Sequence, residues 1–260
     1  MELAFGHLVT GLATLWWPFC RVLAMFTVAP VLGDGSVPVR VRVLLALVLA
    51  FVMLPLAGPA APVDPFSLHG VVATLGECVT GVVLGLAFQL AMSAITVLGY
   101  MAASQMGLAM AMMNDPINGG ASDVVTTLLS VLCILVFFAI DGHLALAGVV
   151  GASFQAWPVG AGPDVASWRA LAFNTGWVFS AGLLLALPLV FSTLVVQIGF
   201  GLMSRIAPSL NVFSLGFSIV TLVGLFMLSR VLRFVPDHYV RMTGRLLDML
   251  QQQMHAGPHV

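Results

Sequence analysis

Four ionisable side chains lie within long apolar stretches of the sequence and are the first candidates for chemistry: Arg21, Glu77, Asp141 and His143. An ionisable group inside a membrane costs about 3 kcal/mol or more, so it usually faces a partner or a cavity. Two carboxylates and an imidazole could pass protons, which gives the hypothesis of a relay through Glu77, Asp141 and His143. The alternative, which we favour, is that Asp141-Gly142-His143 marks the bend or end of a helix.

The possible partners of Glu77 are constrained by the positions of the cations. Neither arginine nor lysine occurs between Arg42 and Arg169. Glu77 must therefore be protonated, bond to polar groups such as Thr80 or Gln89, meet an arginine that folds back from elsewhere in the chain, or meet another subunit. The sequence leaves these alternatives open.

Motifs of the common enzyme classes are missing from the sequence. It contains no G-x-S-x-G, no H-E-x-x-H and no phosphate-binding glycine loop. Cys20, Cys78 and Cys133 are far apart and each lies in an apolar run, so we interpret them as small core hydrophobes. We expect neither enzyme activity nor a catalytic residue, cofactor or metal.

The composition is that of a protein that faces lipid or other apolar protein. Of the 260 residues, 60% are hydrophobic and 7% charged, whereas a soluble domain carries about 25% charged residues. The formal net charge is −1, and no basic stretch could follow a phosphate backbone, which argues against nucleic acid. The amino terminus lacks a positive region before its apolar segment, so we expect no cleaved signal peptide.

A helix needs about 20 apolar residues to cross a bilayer, and six stretches of the sequence are of about this length. Helices formed by these stretches would position the candidate residues. The stretches are residues 8–32, 39–57, 68–103, 124–150, 171–203 and 212–232. Proline- and glycine-rich connections separate them, and the runs are too long for strands. The third and fifth stretches exceed one simple crossing. The sequence predicts an all-α fold of about six long hydrophobic helices, of the integral-membrane type.

A further helix of different character is predicted over residues 236–254. Tyr239, Met242, Leu246 and Met249 recur at a spacing of three and four, which places them in one apolar stripe. Pro236 suits the first helical turn. This amphipathic helix could lie on a membrane surface or dock on a protein partner, and the sequence does not separate the two.

Two local patterns concern how helices meet and where they end. Gly81 and Gly85 form a G-x-x-x-G pair, which lets another helix approach closely. Five of the fourteen methionines fall between residues 101 and 113, ahead of turn residues 114–120. Methionine is flexible and polarizable, so this stretch could form an adaptable surface. From the residues alone it could equally be a solvent-exposed turn.

The stretches around these patterns resemble the FliR family of flagellar export-gate subunits. The resemblance lies in "LGECVTGVVLGLAFQLAMSAITVLGYMAASQMGLAMAMMNDP" (75–116), "FFAIDGHLALAGVVGASFQAWPVG" (137–160) and "LMSRIAPSLNVFSLGF" (202–217). Order, spacing and total length agree over nearly the whole chain. Ser218 stands where the family commonly has a proline, which puts a helix kink there in doubt. The "DGHL" at 141–144 is more similar to the flagellar branch than to the injection-apparatus branch.

The resemblance implies a single export-gate subunit over residues 1–260, in the bacterial inner membrane at the flagellar basal body. Residues 1–165 would be a four-helix half similar to the P-type subunit, and 166–260 a hairpin and tail similar to the Q-type subunit. The implied partners are P-type and Q-type subunits, an FlhB-like switch protein near the cytoplasmic side, unfolded flagellar export substrates and membrane lipid. In such assemblies the helices are not ordinary membrane spans.

The resemblance also implies that residues 106–122 project into the protein channel and help to seal it. The implied seal comprises Met106, Gly107, Met110, Met112, Met113, Asn114, Asp115, Pro116, Gly119 and Gly120. Candidates for buried polar or inter-subunit contacts are Arg21, Glu77, Asp141, His143, Arg205 and Asn211. The alternative function is a stand-alone small transporter or channel in which Arg21, Glu77, Asp141 and His143 line the pathway.

Overall fold

The computed structural model describes residues 2–35, 37–57, 67–108, 124–160, 165–206 and 212–255. These residues form eight α-helices and no strand, which confirms the all-α prediction. The helices are α1 (Glu2–Val28), α2 (Val39–Met53), α3 (Leu68–Gln105), α4 (Val124–Ala139), α5 (Gly142–Ala156), α6 (Val165–Ile206), α7 (Val212–Val231) and α8 (Val235–His255).

The fourth apolar stretch is two helices rather than one. The chain breaks between α4 and α5 at Asp141, whose φ of 55° lies in the left-handed region that ends a regular helix. Aspartate tolerates this conformation better than most residues. The Asp141 backbone carbonyl then accepts the Leu144 N–H at 2.9 Å and starts α5. The interpretation of 141–143 as a helix break is confirmed.

The described helices provide fewer clear membrane spans than the six apolar stretches predict. By length and hydropathy, α3 and residues 176–206 of α6 could each cross a bilayer. The number rises to at most four if the bent pairs α4–α5 and α7–α8 each count as one span. α2 has 15 residues and is about 22 Å long, which is less than the hydrocarbon thickness of about 30 Å.

The chain divides into two compact units. The first comprises Met1–Leu90, Phe138–Asn174 and Thr243–Val260, and the second comprises Ala91–Phe137 and Thr175–Met242. In the first unit α1 packs against α2 and against α3. A Cβ added to Gly85 would lie 2.6 Å from Met25 O, and one added to Gly81 would clash with Arg21 O. Both contact positions advance together, so α1 and α3 run parallel, with the two glycines where their backbones meet.

In the second unit the carboxyl-terminal part of α3 runs parallel to α6. A Cβ on Gly182 would lie 2.7 Å from Ala94 O. Further along both helices, Thr193 Oγ1 donates to Gln105 Oε1 at 3.4 Å. Because both contact positions advance in the same direction, the two helices are parallel.

The last two apolar helices of this unit form an antiparallel hairpin. A Cβ on Gly216 would meet Phe200 at 3.5 Å, and a Cβ on Gly224 would lie 3.6 Å from Thr193 Cγ2. As the position advances along α7 it retreats along α6, which defines the antiparallel direction. The connection between them, residues 207–211, lies outside the described residues.

The apolar stripe of α8 is covered by the chain itself. The buried side chains are Val235, Tyr239, Met242, Leu246, Leu250 and Met254. The polar side chains Asp237, Arg241 and Gln251 are exposed. The predicted helix and its amphipathic character are confirmed. Its apolar stripe, however, needs neither a membrane surface nor a docking partner to be removed from water.

Candidate functional site

Arg21 is fully buried and is held by four hydrogen bonds. Its Nε donates to Glu77 Oε2 at 2.7 Å and its Nη2 to Glu77 Oε1 at 3.0 Å, which is the bidentate arginine–carboxylate geometry. Nη2 also donates to the carbonyl of Trp157 at 2.9 Å, and Nη1 to Ser153 Oγ at 3.1 Å. Both charged side chains have about 0–1% of their surface exposed.

Further groups complete the surroundings of this ion pair. The Phe154 ring lies under the guanidinium, with Cζ 4.2 Å from the ring centroid, a cation–π contact. The Gly160 N–H donates to Glu77 Oε1 at 3.3 Å. We call this set the Arg21 cluster: Arg21, Glu77, Ser153, Phe154, Trp157 and Gly160. It connects α1, α3, α5 and the segment after α5.

The Arg21 cluster suits fastening helices better than moving protons. The guanidinium and the carboxylate are bound to one another and to groups of the segments around them, so the cluster joins these segments and, within the described part of the chain, offers no open position for a mobile proton carrier. Of the alternatives open for Glu77, the structure shows an arginine that folds back, from 56 positions away in sequence. The contributions of Ser153, Trp157 and Gly160 carried no sequence signal, because ordinary side chains and backbone groups supply them.

Asp141 and His143 do not belong to the Arg21 cluster. Both are exposed at the break between α4 and α5, where the His143 ring lies 5.7 Å from the ring of Phe138. Among the described residues, no hydrogen bond joins either of them to Glu77, so the three do not form a chain for protons. Arg205 is exposed in the last turn of α6. Asn211 lies outside the described residues.

A groove in the second unit adjoins the start of the methionine-rich stretch. It has a volume of about 480 Å³ and lies among the ends of α3 and α6 and the beginning of α7. Its apolar lining is Met106, Phe200, Phe217 and Val220, and its polar lining includes Ser104, Gln105, Gln197 and Ser204. A mixed lining of this kind can hold an apolar group while amides and hydroxyls orient it.

The first two residues of the implied seal are anchored beside this groove. Met106 is fully buried, contacts the backbone of Gly224, and its carbonyl accepts the Thr221 hydroxyl at 3.0 Å. Gly107 has a φ of 73° and faces the Phe217 ring, so a larger residue there would be strained and crowded. The remaining seal residues lie outside the described residues: Met110, Met112, Met113, Asn114, Asp115, Pro116, Gly119 and Gly120.

Long apolar helices, a buried ion pair among them and a methionine-bearing groove define an α-helical protein of the integral-membrane type. The family model described as bacterial export proteins, family 1, matches residues 12–246. The chain belongs to this family, and the resemblance to FliR proteins is confirmed.

Curated relatives cover nearly the whole length of the chain. The flagellar biosynthetic protein FliR of Pectobacterium carotovorum is 34% identical over 94% of this chain and 93% of its own length. The FliR protein of Escherichia coli K12 is 30% identical, over 90% of each chain. The Yop proteins translocation protein T of Yersinia pestis is 29% identical, over 76% of this chain and 78% of its own. Flagellar and secretion-type relatives therefore share this sequence pattern.

Proposed function

We propose that the chain is a subunit of the flagellar type III protein export gate and forms part of the channel for unfolded flagellar proteins. The observation that carries this proposal is the family match over residues 12–246, together with FliR relatives that span the same length. The bacterial inner membrane at the flagellar basal body is the corresponding location. The role is that of a channel component rather than an enzyme.

The apolar surfaces of the chain support a role inside a larger assembly. In the apolar window of residues 176–206 only 28% of residues are buried, against 61% in that of α3. Phe179, Leu184 and Phe191 on α6 are each more than 60% exposed. We propose that P-type and Q-type subunits and lipid cover these side chains. Residues 1–165 would then make the contacts of a P-type subunit, and residues 166–260 those of a Q-type subunit. An FlhB-like protein would join at the cytoplasmic side.

Co-expression tests the assembly directly. The tagged chain is produced together with its P-type and Q-type neighbours and purified in mild detergent. The proposal predicts one stable complex that contains all three subunits at fixed ratios. Recovery of this chain alone, from membranes that contain the other two, would contradict it. Solute transport by the purified chain in vesicles would instead support the stand-alone transporter.

We also propose that residues 106–122 form the seal of the channel. Met106 and Gly107 anchor one end of this stretch beside a groove with an apolar lining. The unbranched side chains of Met110, Met112 and Met113 can repack around different passing chains, and an apolar constriction resists the passage of water and ions. Asp115-Pro116 and Gly119-Gly120 supply the turn chemistry that such a loop needs.

Ion leakage through the assembled complex tests the seal. Replacement of Met110, Met112 and Met113 by glycine should raise the leak of small ions across membranes that contain the complex. Replacement of the same three residues by leucine retains apolar volume and should leak less. An unchanged leak in the glycine variant, with normal assembly, would show that these residues do not form the seal.

A further inference from the structure

α1 and α3 keep one register over several helical turns in the first unit. Trp16 Nε1 donates to Thr74 Oγ1 at 3.1 Å. Cys20 lies one turn after Trp16, and Cys78 lies one turn after Thr74. Since the two helices are parallel, the next pair of facing side chains along this row is Cys20 with Cys78.

α1 and α3 pack closely next to this level, which is the condition for a covalent bond between the two thiols. A disulfide requires Cα atoms about 4.4–6.8 Å apart, which only closely packed helices provide. Less than one turn beyond Cys78, a Cβ added to Gly81 would lie 3.0 Å from Ala24 Cβ. The two cysteine side chains are close neighbours, and both are free thiols.

We propose that Cys20 and Cys78 form a redox-responsive thiol pair, in which two-electron oxidation joins α1 to α3 through a disulfide. Cys78 is half-buried, whereas Cys20 is 7% exposed, so Cys78 is the thiol that a reagent reaches first. The pair is independent of the export-gate proposal.

The chemistry balances with an oxidant of the diazene class, such as diamide. The Cys78 sulfur loses its proton and adds to one nitrogen of the N=N bond, whose other nitrogen takes up a proton. The Cys20 sulfur then attacks the Cys78 sulfur, the S–N bond breaks, and the hydrazine leaves with the second proton. Two S–H bonds are replaced by one S–S bond, and the diazene is reduced by two electrons.

The disulfide would join α1 to α3 beside the Arg21 cluster. Cys20 precedes Arg21 and Cys78 follows Glu77, so the disulfide lies one residue from each member of the ion pair. Oxidation would hold α1 and α3 at a fixed separation there. A thiol reductant would release them, since the reaction is a reversible exchange.

The test uses the full chain in membrane vesicles. Cys133 is the third and last cysteine of the chain, so Cys133→Ser leaves only the pair. After treatment with diamide, denaturation and maleimide–polyethylene glycol labelling, this variant should lose both label-accessible thiols. Peptide mass spectrometry should show residues 20 and 78 joined within one chain, and dithiothreitol should restore both thiols.

A displaced cysteine provides the matched control. Cys133→Ser/Cys78→Ser/Val79→Cys moves the thiol by one residue to a position that is 39% exposed but turned about 100° around α3. It should react with diamide yet give at least tenfold less cross-link to Cys20. Absence of the 20–78 cross-link in Cys133→Ser, or equal cross-linking in both variants, would overturn the proposal. Both variants are first shown to be membrane-inserted.

Discussion

Arg21 and Glu77 satisfy one another in a fully buried position, and this mutual dependence determines what their replacement should do. Each charge lost water on folding and regained hydrogen bonds from its partner and from the Arg21 cluster. Removal of one partner leaves the other buried without its counter-charge, whereas removal of both eliminates the two buried charges together. The energetic signature of the pair is therefore strong coupling rather than a large net contribution.

Glu77→Gln should lower the free energy of unfolding by about 3–5 kcal/mol, because it leaves the Arg21 charge buried and unpaired. The double variant Arg21→Met/Glu77→Met should lose clearly less unfolding free energy than the sum of the losses caused by Arg21→Met and Glu77→Met alone. Denaturant unfolding in detergent measures both quantities. Arg40→Met, at an exposed position, is the control and should change stability by less than about 0.5 kcal/mol. Additive losses would contradict the coupling.

Thr243 in α8 presents the opposite situation, a buried hydroxyl that finds no partner among the described residues. Within that part of the chain its Oγ1 makes no hydrogen bond, and the residue is 5% exposed. Thr243→Val retains the shape and removes the unsatisfied group, so it should raise the unfolding free energy by about 1 kcal/mol. Thr80→Val is the matched control, since Thr80 Oγ1 donates to the Gly76 carbonyl at 2.8 Å. A thermal-unfolding midpoint that rises only for the Thr80 variant would refute this assignment.

At the scale of helices, periodicity and breakers predicted the existence of nearly every element. The sequence predicted a bend or end of a helix at Asp141-Gly142-His143, but not that the fourth apolar stretch divides into two separate helices with Asp141 in the left-handed region. It also could not choose a partner for Glu77, since pairing across 56 positions depends on the register of α1 and α3. The methionine stretch after Leu108 lies outside the described residues and remains a prediction.

The G-x-x-x-G pair allows a test on one helix with a control on the same helix. Gly81→Ala should destabilise the chain by about 1–3 kcal/mol, because the added Cβ meets the α1 backbone. The Cβ of Gly76→Ala would meet no described residue within 4 Å, so this substitution should be neutral or stabilise the chain by up to about 1 kcal/mol, since alanine favours helix. Circular dichroism during heating gives both values. Equal effects of the two substitutions would mean that α1 does not pack at Gly81.

For the whole molecule, the exposed apolar surface is the feature that demands a partner or lipid. Side chains on α6 and α7 that would be buried in a soluble protein face outward, among them Phe191, Leu222 and Phe226. Such a surface is stable only where lipid chains or the apolar surface of another protein cover it. Replacement of these outward-facing apolar side chains by polar ones should therefore affect assembly more than the internal packing of the chain.

Phe191→Gln places a polar side chain on the outer face of α6, where Phe191 is 68% exposed. Because few intrachain contacts are lost, secondary structure should be retained, while recovery of the proposed complex with P-type and Q-type subunits should fall at least threefold. Quantitative immunoblotting of purified complexes measures this. Ser180→Gln, at an exposed polar position of the same helix, should leave recovery unchanged. Normal recovery of the Phe191 variant would show that this face is not covered by a subunit.

The spacing of the Arg21 cluster along the chain also has a consequence for biosynthesis. Arg21 leaves the ribosome 56 residues before Glu77 and 136 residues before Trp157. At about 5–20 residues per second, the guanidinium waits roughly 7–27 s for its last acceptor to be synthesised. During that interval a positive charge within α1 has no finished site in which to settle. Until then, water, lipid headgroups or the insertion machinery must solvate the guanidinium. The final depth of the first helix is therefore set only when the nascent chain has passed residue 160.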